Sequence, residues 1–271
     1  MFYAIAKKKI DLRGYRFEHR LEDIQTLNER ALRGELHISA ISIHAYSYVA
    51  DKYALLPCGA SMGDGYGPVL VRKNPGTGSQ TPNGDADVRQ WLRERAIAVP
   101  GTMTSAFLAL QLYLGEFKHV VVPFDQIFEM VNRGDADAGL IIHEGQLTYA
   151  KSGFEKIVDL GESWKTETGL PLPLGGNVIR KDIPANIRHN LCQIIRESIE
   201  FGLAHREEAV AHSMPYARDM NETLASKFIG MYVNDFTRDY GETGRAAIRR
   251  FLGDAQRAGY IDNVAKIEFA Q

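Results

Sequence analysis

The chain has 271 residues, 45% hydrophobic and 24% charged, the composition of a folded globular protein large enough for two modest cores or one large one. Its formal net charge of −2, with Lys and Arg scattered rather than striped, offers no field for a polyanion, so nucleic acid is excluded as an expected partner. The two cysteines, Cys58 and Cys192, show neither CxxC nor Cys/His ligand spacing, no apolar run approaches the ~18 residues of a membrane span, and residues 1–9 lack the order of a secretion signal, so a reducing cytoplasm is expected.

Two segments share one plan. In the first, residues 15–21 alternate like a strand, Asp23 caps a helix that runs to Arg33, Gly34 stops it, and 36–42 form a second strand. After it comes Cys58-Gly-Ala-Ser-Met-Gly-Asp-Gly-Tyr-Gly67, whose glycines do not form a dinucleotide loop and instead suit close backbone approach. Residues 73–84 concentrate Pro, Gly, Ser and Asn and read as a surface loop. A helix over 87–95 then feeds a strand at 96–99, and an apolar helix follows at 107–114. The second copy of the plan has a strand at 119–124, Asp125 capping a helix to Arg133, Gly134 stopping it, and a strand at 138–142. Aligning Arg33-Gly34 with Arg133-Gly134 sets Ser42 within one position of His143. A return crossing is expected near 175–177, and apolar residues at helical spacing mark 187–204, 221–236 and 243–259. Two βαβ units of this kind predict two α/β lobes facing a cleft: a larger lobe of 1–95 and 180–271, and a smaller one of 96–179, with the C-terminal helices on the first.

The chemistry gathers at strand ends. The run Ala138-Gly-Leu-Ile-Ile-His-Glu-Gly-Gln146 delivers His143 past the carboxyl end of a buried strand, where open α/β sheets bind ligands. A neutral imidazole abstracts protons near physiological pH, so His143 is the candidate general base. Glu144 is either its orienting partner or a solvated residue at a helix start. In Pro100-Gly-Thr-Met-Thr-Ser-Ala106, Thr104, Ser105 and the amide of Ala106 open a helix; they suit a carboxylate or phosphate, or Thr102 or Thr104 simply caps the helix. Ser42 closes the equivalent strand in the first lobe, and His44 and Tyr46 beyond it either face the cleft or pack against Tyr53 from the next helix. There is no GxSxG, HExxH or tight carboxylate pair, and no feature calls for a cofactor or metal.

Four motifs in order carry a resemblance: Pro100-Gly-Thr-Met-Thr-Ser-Ala, Gly139-Leu-Ile-Ile-His-Glu, Val158-Asp-Leu-Gly-Glu-Ser-Trp and Thr168-Gly-Leu-Pro-Leu-Pro-Leu-Gly175. Together they resemble the 1,4-dihydroxy-6-naphthoate synthase family of the futalosine route to menaquinone. The resemblance implies a two-lobed fold like the type II periplasmic binding proteins, and a lyase that converts cyclic dehypoxanthinyl futalosine to the dihydroxynaphthoate. It also implies His143 as proton acceptor, with substrate contacts at Ala40, Ile41 and Ser42 and at Ser105 and Ala106. Two positions depart from the family pattern: Ala40 stands where a lysine is usual and Ser105 where a threonine is. Members also begin with a strand and a Ser-Pro-rich loop, whereas this sequence opens after that segment, at Met1-Phe2-Tyr3, so the first lobe is expected to lack its first strand. The readings that compete are a solute-binding protein of the same fold and the sibling chorismate dehydratase, which chiefly lacks the Ile-His-Glu motif.

Overall fold

A computed structural model describes residues 1–74, 84–216, 221–262 and 266–270, and among these nine strands divide between two sheets. The first sheet holds β1 (Ile38–Ser42), β2 (Tyr53–Leu55) and β3 (Ser61–Gly63), each paired antiparallel with the long β9 (Leu172–Arg180). The second holds β4 (Val69–Lys73), β5 (Ala96–Val99), β6 (Lys118–Val121), β7 (Ala138–Ile141) and β8 (Phe154–Asp159), in the order β6-β5-β7-β4-β8. There β6 and β7 flank β5 in parallel, while β4 runs antiparallel to β7 and β8.

Period-two alternation explains why both sheets are covered on both faces. On β2, Tyr53 and Leu55 enter a large core with Tyr46 and Val178, and Ala54 enters another with Ile179, Cys192 and Ile195. On β4, Leu70 joins the large core, whereas Val69 and Val71 join a third with Ile127, Val131 and Ile141. The large core is continuous across the two sheets, from Ile41 to Ile97 and Leu140. The helix Ala185–Ala204 covers the outer face of the first sheet, and Gly241–Arg257 sinks Ile248, Phe251 and Leu252 into the large core. Among the described residues no helix is long and apolar enough to cross a membrane.

Two segments join the sheets, residues 64–68 outward and 160–171 on return, and they touch. Leu160 N donates to Pro68 O at 2.9 Å. A Cβ on Gly67 would lie 2.9 Å from Gly161 Cα, and one on Gly161 would lie 2.0 Å from the Tyr66 carbonyl oxygen. Glycine is the residue that permits such backbone contact, which meets the expectation for the Gly-rich segment ending at Gly67.

Several expectations change. Sheet membership does not follow the lobe boundary expected after residue 95, because Val69–Lys73 pairs with β7 and β8. Nor does it follow the boundary at 179, since residues 175–177 lie inside β9, not at a crossing. Residues 15–21 form no strand: Tyr15 and Phe17 pack on the outer core, but Leu21 is 77% exposed and none of the described strands pairs with them. Alternation buries side chains, whereas a strand also needs a neighbour for its backbone groups. Asp125 sits within a 3-10 turn, Phe124–Gln126, ahead of the helix Ile127–Arg133, because Pro123 sets the entry. The helical run from 221 breaks into Glu222–Tyr232 and Asp235–Arg238, since Asn234 and Thr237 form a capping box that starts a new helix. The helix Arg206–Ser213 was not anticipated. The paired Arg-Gly stops are both left-handed, Gly34 at φ 70° and Gly134 at φ 82°. Residues 75–83 of the expected surface loop lie outside the described residues.

Candidate active site

Because β6, β5 and β7 are parallel neighbours, their carboxyl ends share one edge of the second sheet. That edge emits residues 122–124, 100–105 and 142–146, and the end of β1 brings Ser42 and the helix Ile43–Val49 from the other sheet. Four helix or turn starts therefore converge where the two sheets meet, the usual place for a ligand in open α/β sheets.

His143 stands one residue beyond the β7 run and is partly buried. Its Nε2 lies 3.1 Å from the Phe124 carbonyl oxygen, and its Nδ1 accepts the Gly145 amide at 3.1 Å. A carbonyl only accepts and an amide N–H only donates, so these partners assign the neutral tautomer with hydrogen on Nε2 and the lone pair on Nδ1. The ring stands edge-on to Phe124 and Phe128, with centroids at 5.4 and 6.1 Å. Gly145 is what lets the ring lie there: a Cβ at that position would meet His143 Cε1 at 2.8 Å and Phe128 Cε2 at 2.7 Å. Of the two readings for Glu144, the geometry favours a partner, since its Oε2 lies 3.8 Å from Nδ1, near enough to offset charge on a protonated ring.

The first-lobe and small-lobe candidates meet through Asn28, which motif reading did not single out, and through His44, which it did. Asn28, fully buried, takes the Ser42 amide on Oδ1 at 2.8 Å and donates from Nδ2 to Ser42 Oγ at 3.1 Å and to Met103 O at 3.3 Å. His44 donates its amide to Ser105 Oγ at 3.1 Å, and its ring bridges Thr104 O at 3.3 Å and the Tyr48 hydroxyl at 3.2 Å. Thr104 caps the helix Ser105–Leu114, accepting from Phe107 N at 3.1 Å and donating to Gly101 O at 2.9 Å. Ser42, Thr104, Ser105 and Ala106 are thus brought together and buried, with Ala40 half-buried on β1 and the Ile41 side chain in the core. His44 and Tyr46 both belong to the helix Ile43–Val49; Tyr46 packs into the core with Tyr53, whereas His44 is buried against Thr104 and Tyr48. One signal pointed to Asn28: it is a polar residue in the apolar stripe of Ile24 and Ala31.

Burial pushes the His44 imidazole down to about 4 from an ordinary 6.5, with the Thr104 carbonyl opposing weakly. The folded state therefore resists a proton that the unfolded chain takes up, so this contribution is complete above pH 6.5 and is lost as pH falls towards 4. Its size is roughly 3 kcal/mol. Denaturant midpoints measured between pH 7 and 4 are expected to fall accordingly in the native chain and to fall less in His44→Gln. Equal slopes in the two proteins would remove His44 as the cause.

Two α/β sheets linked by a double crossing, the second of them mixed, define a periplasmic-binding-protein-like fold. The periplasmic aliphatic sulphonate binding protein of Escherichia coli shares it at a TM-score of 0.61, 12% identity, and coverage of 90% of this chain and 82% of that one. A family described as menaquinone biosynthesis matches residues 1–257. The chain belongs to that family. The 1,4-dihydroxy-6-naphtoate synthase of Thermus thermophilus is 36% identical over 259 residues, 96% of this chain and 90% of the relative. The crystal structure of an Archaeoglobus fulgidus protein superimposes at a TM-score of 0.86 with 40% identity, covering 96% of this chain and 93% of that one.

Proposed function

We propose that the protein is a cytoplasmic lyase of menaquinone biosynthesis that converts cyclic dehypoxanthinyl futalosine to 1,4-dihydroxy-6-naphthoate, with His143 as the proton acceptor. Family membership and the similarity to a synthase of that name support the reaction. The observation that carries the role of His143 is its pair of partners, which assign a neutral ring at the carboxyl edge of the second sheet with its lone pair on Nδ1. A proton taken there displaces the Gly145 hydrogen bond and leaves an imidazolium beside Glu144, with Nε2–H still held by Phe124. Removal of a substrate proton starts carbon–carbon cleavage, and closure of the lobes about residues 64–68 and 160–171 excludes water from the intermediate.

The substrate carboxylate is placed at the start of the helix Ser105–Leu114. Its first turn gives the amides of Ser105 and Ala106 no intrahelical acceptor, and the partial positive charge there favours an anion. Ser42 and the backbone of Ala40 and Ile41 supply the opposite wall. Ala40 brings no charge, so dipoles rather than a lysine hold the carboxylate on that side. Both cysteines are free and buried, which suits a reducing compartment. Incubation with cyclic dehypoxanthinyl futalosine is expected to yield dihydroxynaphthoate. Tight binding without conversion would favour the solute-binding reading, and dehydration of chorismate would favour the sibling enzyme.

A further inference from the structure

The helix Glu222–Tyr232 ends on a residue that reaches across to the His143 turn. Tyr232 is tied to the first lobe by its backbone: the single hydroxyl hydrogen of Thr237, fully buried, is shared between Ala60 O, next to β3, at 2.9 Å and Tyr232 O at 3.2 Å. Its ring is gripped by Phe228 and Tyr66, with centroids at 5.2 and 6.0 Å. Its hydroxyl donates to Oε1 of the buried Gln146, which lies in the second lobe three residues after His143. Burial holds the phenol above its ordinary pKa, so it remains a donor throughout the working pH range.

The Gln146 carboxamide is directional. Its Nε2 donates to Ile141 O, the last carbonyl of β7, at 3.1 Å, so Oε1 must face Tyr232; a flipped amide would set oxygen against oxygen at Ile141. Gln146 N also donates to His143 O at 2.9 Å. Tyr232, Gln146 and Ile141 therefore form one chain of hydrogen bonds from the first lobe to both ends of the segment that carries the imidazole. We propose that Tyr232 is a positioning residue for His143, locking the turn of residues 143–146 when the lobes are together. The contribution to catalysis rests on the reading of His143 as base, whereas the positioning itself does not.

The test separates the two. The variants are Tyr232→Phe and Gln146→Leu, which keep shape and lose the donor or the amide. The first readout is the imidazole 15N resonances of the free protein, those of His143 being the ones absent from His143→Ala. They are expected to move in both variants, and by no more in the double variant, because all three break the same chain. The second readout is turnover, with kcat expected to fall about 10- to 100-fold at nearly constant KM, the scale on which small misplacements of a reacting group are felt. His143 resonances that stay at their native positions in both variants overturn the proposal, whatever happens to kcat. Resonances that move while kcat holds leave the positioning standing and overturn the base assignment instead.

Discussion

Replacing His143 with alanine is expected to lower kcat by about 10²- to 10⁴-fold, the range a positioned general base contributes. Binding should survive, because the anion-binding groups proposed for the substrate lie on the helix Ser105–Leu114, in the loop after β5 rather than after β7. Stability should also survive, since the ring is partly exposed and the space it leaves is bounded by Phe124 and Phe128, which are themselves only partly buried. Single-turnover kinetics with the cyclic substrate, alongside calorimetric binding, make the comparison. That space also admits a small base, so added imidazole is expected to restore part of the lost rate. Turnover near the native value in His143→Ala would require another base.

Gly161→Ala is expected to cause the largest loss of stability of any single change considered. The added methyl would lie 2.0 Å from Tyr66 O, 2.1 Å from Tyr66 C and 2.5 Å from Gly67 N. All three are backbone atoms, so no rotamer change relieves the contact, and the two linking segments must separate. Overpacking of this kind costs about 3 kcal/mol or more, which corresponds to a fall in Tm of roughly 6 to 12 °C for a chain of this size. Asp159 holds the same turn by accepting from Gly161 N at 2.8 Å and Glu162 N at 3.1 Å, so the helix Leu160–Thr168 shifts with it. Gly202→Ala serves as the control. It lies in the helix Ala185–Ala204 with nothing within 4 Å of the new Cβ, and should stabilise by up to about 1 kcal/mol. A thermal melt of Gly161→Ala that matches the native chain would contradict the close crossing.

Motif and strand-end reasoning reached His143, Ser42 and the residues 104–106 because each depends on a local signal: an apolar run that stops at a polar residue, or hydroxyls ahead of an apolar helix. It did not reach Gln146 or Tyr232, which are 86 positions apart and owe their meaning to one hydrogen bond. It misread residues 15–21 because alternation reports side-chain burial and says nothing of whether another backbone lies alongside. It set the lobe boundary after residue 95, although the chain had already changed sheets before Val69. That crossing is short, glycine-rich and silent in hydrophobic period.

The sequence by itself determined the α/β class, the positions of most helices and strands, the left-handed stops at Gly34 and Gly134, and the presentation of His143 at a strand end. These follow from periodicity, capping and backbone sterics, which act over a few residues. Only the tertiary structure decided which sheet each strand joined, which tautomer His143 holds and which side chains brace it. Those depend on partners far apart in the chain, such as the Phe124 carbonyl and the Tyr232 hydroxyl. A hydrogen bond has value in a buried site only when its partner arrives, and the fold alone brings it there.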